Sequence, residues 1–578
     1  MNSKKYKDNL YQFRYIRDLK EMLNSSAELY SEEPAYMVKD KPGGEYRSIT
    51  YNQLKHDVDS LGTKLIDLGL KGKKIAVIGE NSYKWVVTYM ATVNGTGVIV
   101  PLDRELPAKE IHHLIQRAGV SAIVHSKKLT KSVTEALEGI EGIEYRISMA
   151  EDEHSDELLS FDRLIEEGSQ MISDGNREFI DAEIDREKMS TLIFTSGTTG
   201  LAKGVMLSHK NIAANVYNMS KYVKIEKPGR GLSVLPMHHT FEMTCHVCTA
   251  MYQGICVVIC EGLKHIQKNM KESQATVMLG VPLVFETMHK RVFKQVEKNG
   301  KLDAMKKMIA MSRRMKLYNK PAIVKKMFSA LHTSIGGEMA LFIAGGAAID
   351  PQVIRNYEAM GVPMIQGYGM TENAPIIAVN RDCYSKADSV GKPMPGTDVK
   401  IINQDEDGIG EIICRGPSVM IGYYDNPEET AKVLRDGWLY TGDYGRMDEE
   451  GFLYICGRKK NVIVTKNGKN IFPEEVEYYL QKSEYIAEVM VTGVDDPKSG
   501  DVIVTAEIFP NLPKITEDVG ELSEDGLRDF MKSIIDDAND EMPLYKRVKR
   551  FHFRYEEFEK TTTRKIKRVY NDSSKEVK

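Results

Sequence analysis

The sequence predicts an α/β protein made of two parts. One is a large N-terminal domain over residues 1–459, with parallel-sheet βαβ layers and a small β-rich part; the other is a small, mobile α+β domain over 460–578. Three observations lead to this prediction. At 578 residues the chain is too long for one ordinary core. Apolar runs alternate with helical patterns as far as residue 343, and short strand-like runs with Gly and Asp turns begin near residue 395.

The first elements follow a βαβ order. A helix opens at Thr50, where Thr50-Tyr51-Asn52-Gln53 has the form of a capping box, and apolar residues recur every three or four positions from Leu54. An apolar strand over 75–78, a helix from Asn81 and a strand over 98–100 follow. Such an alternation is typical of a buried parallel sheet.

Later elements are predicted from the same kinds of pattern. Residues 290–330 are strongly helical and basic, and Pro473 suits the first turn of a helix. The remaining predicted strands cover residues 122–124, 276–279, 341–343, 399–402, 411–414, 452–455, 489–492 and 502–508.

Composition indicates a cytoplasmic globular protein. The chain is 42% hydrophobic and 28% charged with a net charge of -4, which gives no general case for nucleic-acid binding. The N-terminus lacks the apolar segment of a signal peptide. The most apolar stretch, 85–102, is interrupted by Asn94, Gly95 and Gly97 and predicts a helix followed by a strand, not a membrane span. Seven cysteines indicate a reducing compartment.

Four of the cysteines, Cys245, Cys248, Cys256 and Cys260, require a choice between zinc and core. The Cys-x-x-Cys spacing suits a zinc site. Their neighbours are mainly Val and Ile, however, and a free cysteine commonly behaves as a small buried apolar residue. We expect them in the core.

The segment 195–204, Thr-Ser-Gly-Thr-Thr-Gly-Leu-Ala-Lys-Gly, holds three glycines, four hydroxyl side chains and Lys203. An apolar run precedes it and a helix from Ser208 is predicted to follow it. Such a loop can direct backbone N–H groups, hydroxyls and an ammonium at a polyphosphate. It lacks the Lys-Ser or Lys-Thr pair of the common nucleotide loop, and a flexible turn is the alternative interpretation.

A second segment, Gln366-Gly367-Tyr368-Gly369-Met370-Thr371-Glu372, places glycines on both sides of an aromatic ring. Tyr368 can lie flat against a ligand there, and Glu372 can hold Mg²⁺. By itself the segment is equally consistent with a tight turn at a strand end.

Together these two segments resemble the signatures of the adenylate-forming enzymes, which include acyl- and aryl-CoA ligases, luciferases and peptide-synthetase adenylation domains. The resemblance runs from about residue 20 to 570. It implies ATP-binding roles for Thr195, Ser196, Gly197, Thr198, Thr199, Lys203, Gly345, Gly346, Ala347, Gln366, Gly367, Tyr368, Gly369, Thr371, Asp443 and Arg458.

The resemblance also implies individual roles at the nucleotide. Tyr368 is expected to pack on adenine and Thr371 to touch the α-phosphate. Asp443 and Arg458 are expected to bind the ribose, and Glu372 is expected to bind Mg²⁺. An Asp in a Thr-Gly-Asp turn is by itself usually a turn former.

Further residues outside the nucleotide segments also receive roles from the resemblance. His239 is expected beside the acyl pocket, with a structural histidine as the alternative. Lys565 is the expected catalytic lysine together with Thr195, Glu372 and His239, and Lys567 is the second choice because Arg564 replaces the usual glycine. Lys460 is expected at the hinge and Gly468 along the coenzyme A channel.

The implied reaction has two steps. A carboxylate and ATP give an acyl-adenylate and pyrophosphate, and the thiol of coenzyme A then gives the thioester and AMP. The C-terminal domain is expected to rotate about Lys460 between the steps. Lys203 and the loop hydroxyls are expected to hold the leaving pyrophosphate.

Within the family, the chain is most similar to bacterial long-chain fatty acyl-CoA synthetases, on the segments 236–242, 280–282, 290–338 and 467–474. Alternatives are a ligase for aryl, bile or other bulky acids, loading of acyl carrier protein, and a nucleotide-binding regulator without turnover. The basic tail, 541–578, is expected to be a solvated surface, or at most an accessory contact to nucleic acid or membrane.

Overall fold

The structure is a computed structural model that describes residues 9–150, 158–195, 202–465, 469–496, 502–560 and 566–568. The strands in these ranges are, in chain order, β1 (Pro34–Val38), β2 (Arg47–Thr50), β3 (Lys74–Ile78), β4 (Val98–Leu102), β5 (Ala122–His125), β6 (Tyr145–Ser148), β7 (Leu159–Ser160), β8 (Met189–Thr195), β9 (Lys203–Ser208), β10 (Arg230–Ser233), β11 (Cys256–Ile259), β12 (Val277–Gly280), β13 (Leu341–Ala344), β14 (Met364–Gly369), β15 (Ile376–Val379), β16 (Lys392–Pro393), β17 (Asp398–Ile402), β18 (Gly410–Arg415), β19 (Gly422–Tyr423), β20 (Leu434–Arg435), β21 (Trp438–Met447), β22 (Leu453–Arg458), β23 (Ile463–Val464), β24 (Asn470–Ile471), β25 (Ile486–Asp495), β26 (Val502–Pro510) and β27 (Arg550–Phe553).

The α-helices of the same ranges are α1 (Leu19–Tyr30), α2 (Tyr51–Asp67), α3 (Tyr83–Ala91), α4 (Ala108–Ala118), α5 (Thr130–Leu137), α6 (Phe161–Ser173), α7 (His209–Ser220), α8 (Thr240–Glu242), α9 (Thr249–Gln253), α10 (Ile266–Ser273), α11 (Pro282–Lys298), α12 (Leu302–Arg314), α13 (Pro321–Met327), α14 (Ser329–Ser334), α15 (Pro351–Ala359), α16 (Pro427–Val433), α17 (Pro473–Leu480), α18 (Leu512–Val519) and α19 (Glu524–Asp540). π-Helical turns at Thr92–Thr96 and Met243–Cys248 extend α3 and α8.

Two large sheets form the body of the protein. Their strand orders are β16-β15-β14-β13-β12-β10-β11-β1-β2 and β19-β9-β8-β4-β3-β5-β6-β7. The inner pairs, such as β12 with β13 and β3 with β4, are parallel, whereas β8 with β9 and β14 with β15 are antiparallel. Buried side chains of both sheets, such as Tyr36 of β1 and Ile75 of β3, belong to one core together with Trp85 of α3 and Tyr252 of α9. The predicted parallel-sheet α/β architecture is confirmed.

A smaller antiparallel sheet, β17-β18-β21-β20 with β22 on β21, follows the large sheets and matches the predicted β-rich part. After β22, strands β25, β26 and β27 form a three-stranded sheet that packs with α17 and α19 around a separate core containing Val476, Val491 and Met531. The small α+β unit is therefore confirmed. The predicted boundary lies in the turn Lys459–Asn461, and the division into domains at that point stays a prediction.

The predicted strands are present with small shifts of their ends, and the predicted helix from Asn81 begins at Tyr83 with Ser82 as its N-cap. At Thr50, the side chain accepts a hydrogen bond from the Gln53 backbone N–H (3.2 Å). Other strands, among them β1, β2, β9, β10 and β11, were not predicted. β9 lies between the glycine-rich loop and α7, so the loop joins two antiparallel strands and does not lead directly into a helix.

The cysteine prediction is confirmed: Cys245, Cys248, Cys256 and Cys260 are all buried free thiols. Among the described residues, no three His, Cys, Asp or Glu side chains are arranged to hold a metal ion. The stretch 85–102 forms α3, a π-helical turn and β4. None of the described helices has the length and apolar character needed to cross a membrane.

Candidate functional site

The two predicted adenine-binding segments lie side by side. Gly345-Gly346-Ala347 follows β13, Gly367 to Gly369 end β14, and these strands are parallel with Ala344 opposite Gln366. Gly369 is required for close packing, because a Cβ there would lie 2.2 Å from the Pro375 carbonyl oxygen. Gln366 points into the fold instead, since its Nε2 donates to the Ala387 carbonyl (2.9 Å).

Tyr368, Asp443 and Arg458 form one hydrogen-bonded group. The Tyr368 hydroxyl donates to Asp443 Oδ2 (2.6 Å), and Arg458 Nε lies 3.0 Å from Asp443 Oδ1. Asp443 and Arg458 are direct cross-strand partners on β21 and β22. Burial, followed by the charge of Asp443, raises the pKa of Tyr368 far above its usual value, so the phenol stays protonated. The carboxylate that is predicted to bind ribose is thus fixed between a phenol and a guanidinium.

Glu372 and Lys203 approach each other through Tyr423, a residue that the sequence analysis did not identify. The Tyr423 hydroxyl donates to Glu372 Oε1 (2.8 Å), and Lys203 Nζ lies 5.0 Å from the centre of the Tyr423 ring. Lys203 also forms an ion pair with Glu429 (2.6 Å), whose pKa falls to about 2 mainly because of that hydrogen bond. The predicted phosphate-binding lysine is therefore held by a carboxylate.

The glycine-rich loop is described only at its two ends. Thr195 and Lys203 are cross-strand partners of β8 and β9, and Thr195 Oγ1 lies 3.4 Å from the Lys203 carbonyl oxygen. Ser196, Gly197, Thr198 and Thr199 lie outside the described residues. The pairing of β9 with β19 nevertheless places the Lys203 end of the loop next to Tyr423.

Two buried asparagines on α7 connect the nucleotide segments, and sequence analysis did not identify them. Asn215 Nδ2 donates to the carbonyls of Asn373 and Ile376 (both 3.1 Å), which belong to the turn that carries Glu372. Asn211 Nδ2 donates to the carbonyls of Pro417 and Val419 (both 2.8 Å), just before Tyr423. A four-residue spacing places both side chains on one helix face. The available sequence signal was the recurrence of asparagine at positions 211, 215 and 218, a helical spacing.

His239 caps α8. The Phe241 backbone N–H donates to His239 Nδ1 (3.2 Å), which is the structural function that was considered as the alternative. Phe241 connects this segment to the adenine side, because a Cβ on Gly345 would lie 2.7 Å from the Phe241 ring. Neighbouring His238 has its Nε2 3.5 Å from Asp103 Oδ2.

An apolar cavity of about 30 Å³ lies next to Phe241. Residues of helices α7, α8 and α9 and of strands β12, β13 and β14 line it. Such a volume is far below the about 300–1,000 Å³ of ordinary ligand pockets, so a ligand of ordinary size would fit only if the lining side chains moved. The lining includes Met219, Phe241, His246, Leu279, Ile343 and Gly367.

A buried acid–histidine pair stands at this cavity. His246 Nδ1 lies 2.8 Å from Glu242 Oε1, and their exposed fractions are 2% and 0%. Within the described part of the chain, Glu242 Oε2 and His246 Nε2 have no hydrogen-bond partner. The hydrogen bond between the two side chains is therefore the main interaction that offsets the free-energy cost of burying them.

Glu372 is suited to Mg²⁺ bound together with ATP. A single half-buried carboxylate, oriented by the Tyr423 hydroxyl, can supply one oxygen, and Mg²⁺ commonly takes its other ligands from phosphates and water. The residues present are consistent with such a shared site.

The C-terminal candidates are only partly described. The Lys460 residue is exposed overall, but its ammonium is partly desolvated by neighbouring atoms, and this desolvation, followed by the charge of Arg458, lowers its pKa. Gly468 and Lys565 lie outside the described residues. Lys567 forms an ion pair with Glu559 (2.5 Å), and Lys560 and Ile566, on either side of 561–565, form an antiparallel bridge.

A sequence model of AMP-binding enzymes matches residues 23–424, and one of the AMP-binding enzyme C-terminal domain matches residues 460–571. The chain belongs to the AMP-binding enzyme family. The predicted enzyme class, an AMP-forming acyl-CoA synthetase that uses ATP, Mg²⁺ and coenzyme A, is confirmed.

Individual relatives are distant but cover most of the chain. A long-chain-fatty-acid–CoA ligase of Salmonella typhimurium is 26% identical, over 87% of this chain and 87% of the relative. A chloroplastic long-chain-fatty-acid–[acyl-carrier-protein] ligase of Arabidopsis thaliana is 26% identical, over 83% and 75%. The solved structure of an anthranilate CoA ligase with anthranoyl-AMP has a TM-score of 0.74 at 20% identity, over 99% of both chains, and shares the fold.

Replacing Asp443 by Asn is expected to weaken ATP binding about tenfold or more, because a hydrogen bond to a charged group contributes about 1.5–3 kcal/mol. Isothermal titration with ATP measures the change. The control is Asp398→Asn, which alters an exposed Asp–Arg pair in the same sheet and should leave ATP affinity unchanged. Equal affinity of Asp443→Asn and the parent protein would contradict the ribose assignment.

Replacing His246 by Phe is expected to destabilise the protein by about 3–5 kcal/mol, because Glu242 then stays buried without its partner. Urea unfolding measures the loss. The double variant Glu242→Leu/His246→Phe removes both polar groups and should be more stable than His246→Phe alone. A double variant that is less stable than His246→Phe would show that burial of an unpaired Glu242 is not what destabilises the single variant.

Proposed function

We propose that this protein is a long-chain fatty acid–CoA ligase. It joins a fatty carboxylate to AMP with release of pyrophosphate, and then transfers the acyl group to the thiol of coenzyme A. The observation that carries the proposal is the contact of Phe241 with Gly345, which brings an apolar cavity against the nucleotide segments. A relative named for long-chain fatty acids, aligned over most of both chains, supports it.

The nucleotide lies along the ends of β13 and β14 in this proposal. Gly345, Gly346 and Ala347 line one side of the adenine, and Tyr368 packs on the other. Asp443 accepts hydrogen bonds from the ribose hydroxyls, because Tyr368 and Arg458 hold it in place. Thr371 contacts the α-phosphate.

The phosphates lie between Glu372 and the glycine-rich loop, whose Thr195, Ser196, Gly197, Thr198 and Thr199 supply hydroxyls and backbone N–H groups. Mg²⁺ at Glu372 supplies positive charge that offsets the phosphate oxygens. Lys203 leaves Glu429 and pairs with the departing pyrophosphate, because a polyphosphate offers more negative charge than one carboxylate.

In the first half-reaction a carboxylate oxygen of the acid attacks the α-phosphorus, and the bond to the pyrophosphate oxygen breaks. Lys565 stabilises the negative charge of the transition state, and His239 lies beside the acid. No side chain acts as nucleophile, because positioning and electrostatics are sufficient. The thiol sulfur of coenzyme A then attacks the carbonyl carbon, and AMP leaves.

Both steps occur at one carbonyl and need different surroundings. We infer that the small domain turns about Lys460, so that Lys565 faces the site first and Gly468 lines the coenzyme A channel afterwards. Exposure of Lys460 in the turn between β22 and β23 is compatible with a hinge.

The compartment we propose is the cytoplasm, in keeping with seven free thiols. Acyl carrier protein is the second candidate acceptor, because one relative is named as a ligase for it. Aryl, bile and other bulky acids are alternative substrates. A regulator without turnover would bind ATP and form no acyl-adenylate.

A panel of acids tests the substrate. With ATP, Mg²⁺ and coenzyme A, palmitate should give AMP, pyrophosphate and a thioester, at a higher kcat/KM than benzoate or cholate. Because each methylene in an apolar pocket contributes about 1–3 kcal/mol, shortening the acid by several carbons should lower kcat/KM by orders of magnitude. Release of ADP, or a preference for benzoate, would overturn the proposal.

Replacing Lys565 by Ala should slow acyl-adenylate formation about 100- to 1,000-fold, the range for loss of one transition-state charge partner. Thioester formation from supplied acyl-adenylate should be unaffected. Pyrophosphate exchange and single-turnover assays measure the two steps.

Two matched variants complete this test. Lys567→Ala removes a lysine two residues away that already pairs with Glu559, and it should retain adenylation. Gly468→Leu should form the adenylate but transfer it poorly, because a side chain obstructs the channel. If Lys567→Ala is the variant that loses adenylation, the catalytic role moves to Lys567.

A further inference from the structure

The segment 282–327, here named the basic helical face, concentrates positive charge on α11, α12, α13 and the short connections between them. It contains 13 Lys and Arg against three Asp and Glu, a net charge of +10. Because the whole chain carries -4, the other residues together carry -14. The cations are Lys290, Arg291, Lys294, Lys298, Lys301, Lys306, Lys307, Arg313, Arg314, Lys316, Lys320, Lys325 and Lys326.

These cations are free to meet an external anion. All 13 side chains belong to exposed residues. Among the ion pairs of the described residues, the set contributes only Lys325 with Glu338 (3.3 Å). Pairing with acidic side chains of the protein therefore does not explain why so many cations are clustered here.

The same helices have an inner face that fixes them to the body. Phe285, Met305, Ile309 and Val324 are buried in the core that also contains strands β12 and β13. The outer face is thus the solvent side of packed helices, so its charges keep their relative positions.

Apolar side chains lie among the cations on this outer face. Leu283, Met311, Met315 and Ile323 are 57%, 42%, 62% and 48% exposed. On α12, Lys307, Met311 and Arg314 follow each other at spacings of four and three, so the thioether lies between two cations. Exposed apolar side chains flanked by Lys and Arg are typical of helices that lie at a lipid–water interface.

We propose that the basic helical face docks the protein on an anionic lipid surface. Its Lys and Arg side chains pair with headgroup phosphates, and Leu283, Met311, Met315 and Ile323 enter the interface. The negative charge of the other residues orients the molecule, because a lipid surface of the same sign repels them.

A lipid surface fits this composition better than an acidic protein does. Ten of the 13 cations are Lys. Protein interfaces are enriched in Arg and depleted in Lys, whereas an anionic bilayer attracts both. The face also borders the candidate site, because α11 begins directly after Val281, whose side chain lies 3.6 Å from the position of a Cβ on Gly346.

Vesicle sedimentation tests the proposal on the full chain without ATP or acid, so its result is independent of the ligase activity. The protein should bind phosphatidylcholine vesicles that contain about one-third phosphatidylglycerol, and binding should fall as salt rises. The triple variant Lys306→Gln/Lys307→Gln/Arg314→Gln should bind about a hundred-fold more weakly. Met311→Gln/Met315→Gln should weaken binding even at low salt.

The matched control is Lys109→Gln/Lys127→Gln/Lys131→Gln, which removes three exposed lysines from another part of the surface and should bind as the parent does. Unchanged thermal unfolding shows that each variant is folded. Equal binding to pure phosphatidylcholine, or equal losses in both triple variants, would overturn the proposal. Binding to acyl carrier protein but not to vesicles would assign the face to a protein partner and overturn it too.

Discussion

The candidate site depends on the side-chain amides of Asn211 and Asn215. Both are buried on α7, and each donates to two backbone carbonyls of segments more than 150 residues away in the chain. A buried amide without these partners would cost free energy, and so would the buried carbonyls. The turn of Glu372 and the segment before Tyr423 are therefore fixed to α7, the helix that follows the glycine-rich hairpin directly in the chain.

These hydrogen bonds explain how Glu372 and Lys203, which lie on separate secondary-structure elements, come close together in the site. With the turns fixed, the Tyr423 hydroxyl reaches Glu372 and its ring reaches Lys203. Tyr368 and Asp443, which come from different sheets, also form a direct hydrogen bond. The arrangement gives the site its geometry before a ligand binds, which lowers the reorganisation needed for electrostatic stabilisation.

The fold followed from the sequence wherever periodicity was strong. Strands β3 and β4 and the start of helix α3 were predicted to within two residues, because apolar runs and N-cap residues are local signals. Strand β9 was missed, since Lys203 to Ser208 reads as part of a loop until β8 is placed beside it. Asp443 and Arg458 could be found from motifs, but the partners Tyr423, Glu429, Asn211 and Asn215 depend on contacts between distant segments, which no local pattern contains.

Some Lys and Arg side chains of the protein are paired with carboxylates and others are not. The two groups suit two different kinds of anionic ligand. Near the nucleotide segments, Lys203, Arg458 and Lys459 each have a carboxylate within 3.0 Å. The paired carboxylates hold these cations in position and weaken their attraction for other anions. A polyphosphate can still compete for the cations, because it carries more negative charge than one carboxylate. The cations of 282–327 lack such carboxylates in the described structure, apart from Lys325, so their field extends outward to about a Debye length. Paired cations suit one bound nucleotide, whereas unpaired ones spread over three helices suit an extended anionic surface.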